Sequence, residues 1–104
     1  MIRPYKMLEY VDELKNDYCV QMYGVVEKYN EDKPLDIDVP VILSGKNCMI
    51  KKIYVGYNNE TEQENAILCS VEKPNGDIVS GYDLRDDFDI AVIHAVYTSV
   101  YDKH

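Results

Sequence analysis

The stretch Asp83-Leu-Arg-Asp-Asp-Phe-Asp-Ile-Ala-Val-Ile-His-Ala-Val-Tyr-Thr-Ser-Val-Tyr-Asp-Lys-His104 decides the fold. Four aspartates (Asp83, Asp86, Asp87, Asp89) precede twelve residues without formal charge, and Lys103 and His104 follow. Acid at the start and base at the end is the polarity that a helix dipole favours. The uncharged interior from Ile90 to Tyr101 would be apolar nearly all round a helix, and such a helix must be buried on most sides. The stretch therefore predicts a central, largely buried C-terminal helix wrapped by the rest of the chain.

Upstream of it, Lys73-Pro74-Asn75-Gly76 carries the chemistry of a tight turn. Pro suits the second position, and Gly76 can take the left-handed one. The flanking runs, 66–72 and 78–82, then read as paired strands. Residues 58–65 form a wholly polar loop. The clearest middle strand is 48–57. Met49, Ile53, Val55 and Tyr57 fall on one of its faces, Ile50 and Tyr54 on the other, and Lys51 interrupts the first. Residues 44–47 signal a turn. Residues 39–43 make a short strand in which Pro40 demands an edge position or a start at Val41.

Nearer the N-terminus, residues 30–38 are polar and Pro-containing, the composition of a surface loop. Residues 18–29 are β-branched and aromatic and predict a strand, with Gly24 marking a bulge or a close approach. Residues 4–17 predict an amphipathic helix. Pro4 suits its first position, and Met7, Leu8, Val11, Leu14 and Tyr18 keep helical spacing. The expectation is one α+β domain over residues 1–104. An antiparallel meander of about five strands is flanked by an N-terminal helix and the C-terminal one.

Composition bounds the function. The chain has 104 residues and a formal net charge of −8. It lacks the basic footprint of a sequence-independent nucleic-acid binder. The same balance argues against docking on anionic lipid. Cys19, Cys48 and Cys69 are odd in number and lack CxxC spacing, which fits free thiols in a reducing cytoplasm. No signal peptide is legible at the N-terminus, and no run is long and apolar enough to span a bilayer.

No motif specifies chemistry. Neither G-x-S-x-G, nor H-E-x-x-H, nor a P-loop is present. His94 has no evident partner along the chain and reads as structural. The thiols lie in predicted strands, away from the cations that activate a nucleophile; Cys48, near Lys51 and Lys52, is the best placed. The Asp83–Asp89 cluster could ligate a hard cation. Its spacing matches no EF-hand loop, and acids at a helix start are the simpler account. No metal, no cofactor and no catalytic residue is assigned.

Two binding readings are left. The acidic segments 27–38 and 58–65 could form a surface that mimics nucleic-acid phosphates and meets a basic partner protein. Glu31, Asp32, Glu60, Glu62 and Glu64 would supply the charge, with Tyr29, Tyr54 and Tyr57 as anchors. This describes a non-enzymatic module that acts by stoichiometric occlusion. Size and composition are similar to those of small acidic inhibitors carried by phages and mobile elements, a likeness of class without a shared motif. Alternatively, a small oligomer could sequester a nucleotide-like molecule. Tyr54, Tyr57, Tyr82 and Tyr97 would stack on the base, and Lys52 and Arg85 would meet the phosphate. An open sheet edge is a further way to recruit a partner strand.

Overall fold

The computed structural model describes residues 4–28 and 33–103, with side chains from Tyr10 in the first helix to Asp102 in the last. Its order is α1 (Pro4–Val26), β1 (Leu35–Leu43), β2 (Lys46–Asn58), β3 (Gln63–Glu72), β4 (Ile78–Asp83), α2 (Leu84–Asp87) and α3 (Ile90–Lys103). The four strands form an antiparallel meander in the order β1-β2-β3-β4. α1 and α3 pack against each other and over one face of the sheet. Among the described residues no helix covers the other face, an arrangement that antiparallel sheets tolerate.

Among the described residues the fold is thus α+β with four strands, where about five are expected from the sequence. The difference lies in residues 18–26, which continue α1 instead of forming a strand. Val11, Leu14, Tyr18, Met22 and Val26 recur every three or four residues, so the apolar stripe never stops. Met22 and Val26 are fully buried beneath it. Burial of that stripe overrides the local β preference of Val, Tyr and Cys. Gly24 is neither bulge nor close contact: nothing lies within 4 Å of the place its Cβ would occupy.

β1 starts at Leu35, four residues before the predicted start, inside the segment expected to be loop. Leu35, Ile37, Val39 and Val41 point into the core while Asp36, Asp38, Pro40 and Ile42 point out. The outward aspartates are half of a strand alternation, not loop charges. Lys52 and Lys51 on β2 pair with Asp36 and Asp38 respectively. Pro40 is tolerated because β1 is an edge strand.

The faces of β2 also differ from expectation. A bulge between Ile50 and Lys52 shifts the register. Cys48 and Ile50 face the core before it, and Ile53 and Val55 after it. Tyr54 joins Ala66 and Leu68 in a small cluster on the uncovered face.

The β3–β4 hairpin follows the predicted turn. Gly76 has φ +91°, and its N–H donates to the Lys73 carbonyl at 2.9 Å. Beyond β4, the acidic stretch caps two helices. The Asp83 carboxylate accepts from the N–H groups of Arg85 and Asp86, opening the single turn of α2. Phe88 leaves helical geometry, and the Asp89 carboxylate accepts from Val92 N–H at 3.0 Å to open α3.

α3 is not a central helix. Ile93, Val96 and Val100 form one fully buried stripe. Ala91, His94, Ala95, Thr98 and Tyr101 are exposed. The four-stranded sheet offers one flat face, so a helix laid on it buries one side only.

Candidate binding surface around the second helix

The sequence-predicted residues do not converge on one point. Tyr29, Glu31 and Asp32 lie outside the described residues. Tyr54 is 7% exposed, and its hydroxyl accepts from Gly81 N–H at 3.0 Å, so its ring braces β4 rather than facing a partner. Tyr57 is half exposed. Glu60, Glu62 and Glu64 are all exposed.

The residues expected to share a small ligand are separated. Tyr97 belongs to the helical layer: its ring lies 5.0 Å from that of Tyr18 and 4.7 Å from that of Tyr101, and its hydroxyl donates to Gln21 Oε1. Tyr82 packs against Phe88. Lys52 is engaged by Asp36, whose carboxyl it holds below the usual carboxylate range. Arg85 donates to Asp86 Oδ1 at 3.2 Å and to Gln63 Oε1 at 2.8 Å. The Asp86 carboxylate raises the Arg85 pKa further. In a single chain these four side chains build no common pocket.

The structure does bring together Tyr57, Glu60 and Tyr82. They line a recess of about 380 Å³ at the β4 side of the sheet, with Asn58, Val79 and Asp87. The loop that carries Glu60 and Glu62 is fastened at both ends. At its start, Asn58 Nδ2 donates to Asp83 Oδ2 at 2.8 Å. The Asn58 side-chain oxygen accepts from the backbone N–H groups of Glu60 and Thr61. At its end, Gln63 is held by Arg85. Glu62 and Asn65 take left-handed φ values of 55° and 58°. For glutamate that conformation is uncommon and persists where surrounding contacts impose it.

Both fastenings lead to the start of α2. A second recess there is lined by Asn16, Cys19, Tyr23, Gln63, Asn65 and Arg85. A third, open one runs between α1 and α2, where Asp12, Glu13, Asp17 and Asp86 outnumber Lys15 and Arg85. Acidic side chains thus outnumber basic ones from the β2–β3 loop across α2 to α1, with Arg85 and Lys15 among them. Among the described residues, no group of three or more His, Cys, Asp or Glu side chains is arranged to hold a metal ion. Among the same residues, no helix is long and apolar enough to cross a membrane.

An aromatic seam between α1 and α3 escaped the sequence reading. The rings of Tyr18, Tyr97 and Tyr101 meet at tilted angles along it, and His94 sits edge-on to Tyr18 at 5.6 Å. The four-residue spacing of Tyr97 and Tyr101 signalled one helical face. Its complement, Tyr18, keeps the helical spacing of residues 4–17 but sits where a strand over residues 18–29 is expected to begin, so its place on α1 is not legible.

Burial disfavours the thiolate form of Cys19 and Cys69. Burial, with the Asp83 carboxylate adding to it, pushes Cys19 up to about 11, and burial raises Cys69 still more. Cys48 is buried against its own strand, with Sγ toward the Lys46 carbonyl. At pH 8, Cys19 and Cys69 are expected to react with an aromatic disulfide reagent at least tenfold more slowly in the folded protein than in urea. An unfolded thiol loses its proton near pH 9.0, whereas the folded Cys19 loses it only near 11. Stability from this source is complete below pH 9.0 and declines as pH rises toward 11, because the unfolded state binds fewer protons there. Urea midpoints at pH 8 and pH 10 measure that decline.

Compared with known proteins, the chain matches no family model, no curated protein and no solved structure.

Proposed function

We propose that this is a non-enzymatic protein-binding module that occludes a basic surface on its partner, in the manner of stoichiometric inhibitors carried by phages and mobile elements. One observation supports this above the others: the acidic β2–β3 loop is tied down by Asn58–Asp83 and Arg85–Gln63. A loop held in place before binding loses less entropy on binding. Its carboxylates, on Glu60 and Glu62, and that of Glu64 just beyond are exposed on this tethered backbone, and a net charge of −8 steers a cationic partner toward them. Tyr57, half exposed at the loop's base, supplies an aromatic anchor.

The test is capture of a partner at low salt with the unmodified protein and with a Glu60→Lys/Glu62→Lys/Glu64→Lys variant. All three side chains are exposed, so the fold tolerates the change. Association is expected to slow by about tenfold or more in the variant and to lose most of its salt dependence. A partner that binds both proteins at the same rate sinks the reading.

A further inference from the structure

The sheet ends in two edges, and they are built differently. β1 is blunted: Pro40 has no N–H to offer, Asp36 and Asp38 line the strand, and α3 packs beside it. The first half of β4, ahead of its bulge at Gly81, has neither a proline nor a charged side chain. Its sequence, Ile78-Val-Ser-Gly-Tyr-Asp83, contains no Lys, Arg or Pro, and Ile78, Val79, Ser80 and Gly81 are all exposed. Among the described residues no strand lies beyond it. An edge of this kind presents unpaired backbone groups to an incoming strand.

The surroundings define what the edge would accept. The recess beside it, about 380 Å³, has Tyr57 and Tyr82 as apolar walls and Glu60 and Asp87 as charged ones. Asp77 stands at the head of the strand. A second copy of the chain would bring another −8 charge and the same carboxylates to the contact. A cationic strand meets complementary charge instead. We propose that β4 takes an extended, lysine- or arginine-bearing segment of the partner protein as a fifth strand, with one of its side chains seated in the recess. This rests on the protein-binding reading above and adds the segment and its mode of attachment. Pairing would be short. Register with β3 is interrupted between Cys69 and Val71, Gly81 has φ +91°, and its N–H already donates to Tyr54. Residues 78–80 are the stretch left to pair.

The test uses a ten-residue peptide of alternating lysine and valine, the same peptide N-methylated at alternate amides, and a glutamate–valine counterpart. Backbone pairing requires the N–H groups that methylation removes, whereas charge is unchanged. The lysine peptide is expected to slow hydrogen exchange of amides within residues 78–80, and N-methylation to weaken binding at least tenfold. An Ile78→Lys/Val79→Lys variant, altered at two exposed positions, is expected to lose the same binding. Equal binding of the methylated peptide, equal binding of the glutamate peptide, or exchange protection that depends on protein concentration without peptide would each overturn the proposal. Equal binding of the methylated peptide, abolished by the Glu60→Lys/Glu62→Lys/Glu64→Lys change, would overturn strand pairing and leave the acidic-loop reading standing. Loss of neither peptide on that triple change would remove the loop reading itself.

Discussion

Asp83→Ala is expected to cost the fold about 2–4 kcal/mol and to release the acidic loop in the same step. Asp83 is 3% exposed, and three donors converge on its carboxylate. Arg85 N–H lies at 2.9 Å, Asp86 N–H at 3.1 Å and Asn58 Nδ2 at 2.8 Å. Loss of a helix cap alone removes about 1 kcal/mol. Leaving part-buried donors without a partner adds about 1–3 kcal/mol. The Asp83 N–H also donates to Asp87 Oδ2 at 2.7 Å, so cap and first turn hold each other reciprocally. Asp83→Asn separates the two roles. The remaining side-chain oxygen can still cap α2, but the new amide faces the amide of Asn58, donor against donor. Its cost is expected near 1 kcal/mol, with the loop freed as fully as in the alanine variant. Urea midpoints read the stability. Hydrogen exchange at Glu60 and Thr61, whose N–H groups bond to Asn58, reads the loop. Unchanged exchange at those two amides in both variants would mean that Asp83 does not position the loop.

These contacts also mark where the sequence stops being legible. The β3–β4 hairpin can be read directly because Pro74 and Gly76 act on their own turn. The start of the C-terminal helical region can be read too, because Asp83 and Asp89 bond to N–H groups two or three residues on. The fastening of the acidic loop is of another kind. Asn58 and Asp83 are 25 residues apart, and Gln63 and Arg85 are 22 apart. Polar pairs at that separation carry no local pattern. From the sequence, residues 58–65 are simply polar, and the same composition fits a loose loop. β1 was obscured for a related reason. Asp36 and Asp38 look like loop residues until Lys51 and Lys52 of β2 lie opposite them. Tyr54 shows the limit for site residues. Its alternation placed it correctly on the face opposite Ile53, but only the β4 bulge at Gly81 turns it from a surface anchor into a brace.

The second half of α1 gives the sharpest test of the fold, because two neighbouring substitutions should move stability in opposite directions. Met22 is fully buried beneath the helix. Met22→Ala is expected to destabilise by about 2–5 kcal/mol, the range for a large side chain removed from a closed core. Two residues on, Gly24 is exposed, lies in the helix and has open space at its missing Cβ. Gly24→Ala is expected to stabilise by about 0.5–1 kcal/mol, since alanine restricts the unfolded chain and favours the helix. A strand over residues 18–29 with a bulge at Gly24 predicts the reverse sign there, because a glycine at a bulge takes a conformation that alanine resists. Urea denaturation of the two single variants and the double variant measures both effects. The sites share a helix but not a face, so their effects should add within about 0.5 kcal/mol. A destabilising Gly24→Ala would return residues 18–26 to the sheet. Tyr18 would then leave the aromatic seam with Tyr97 and Tyr101, and Cys19 would leave the recess beside Arg85.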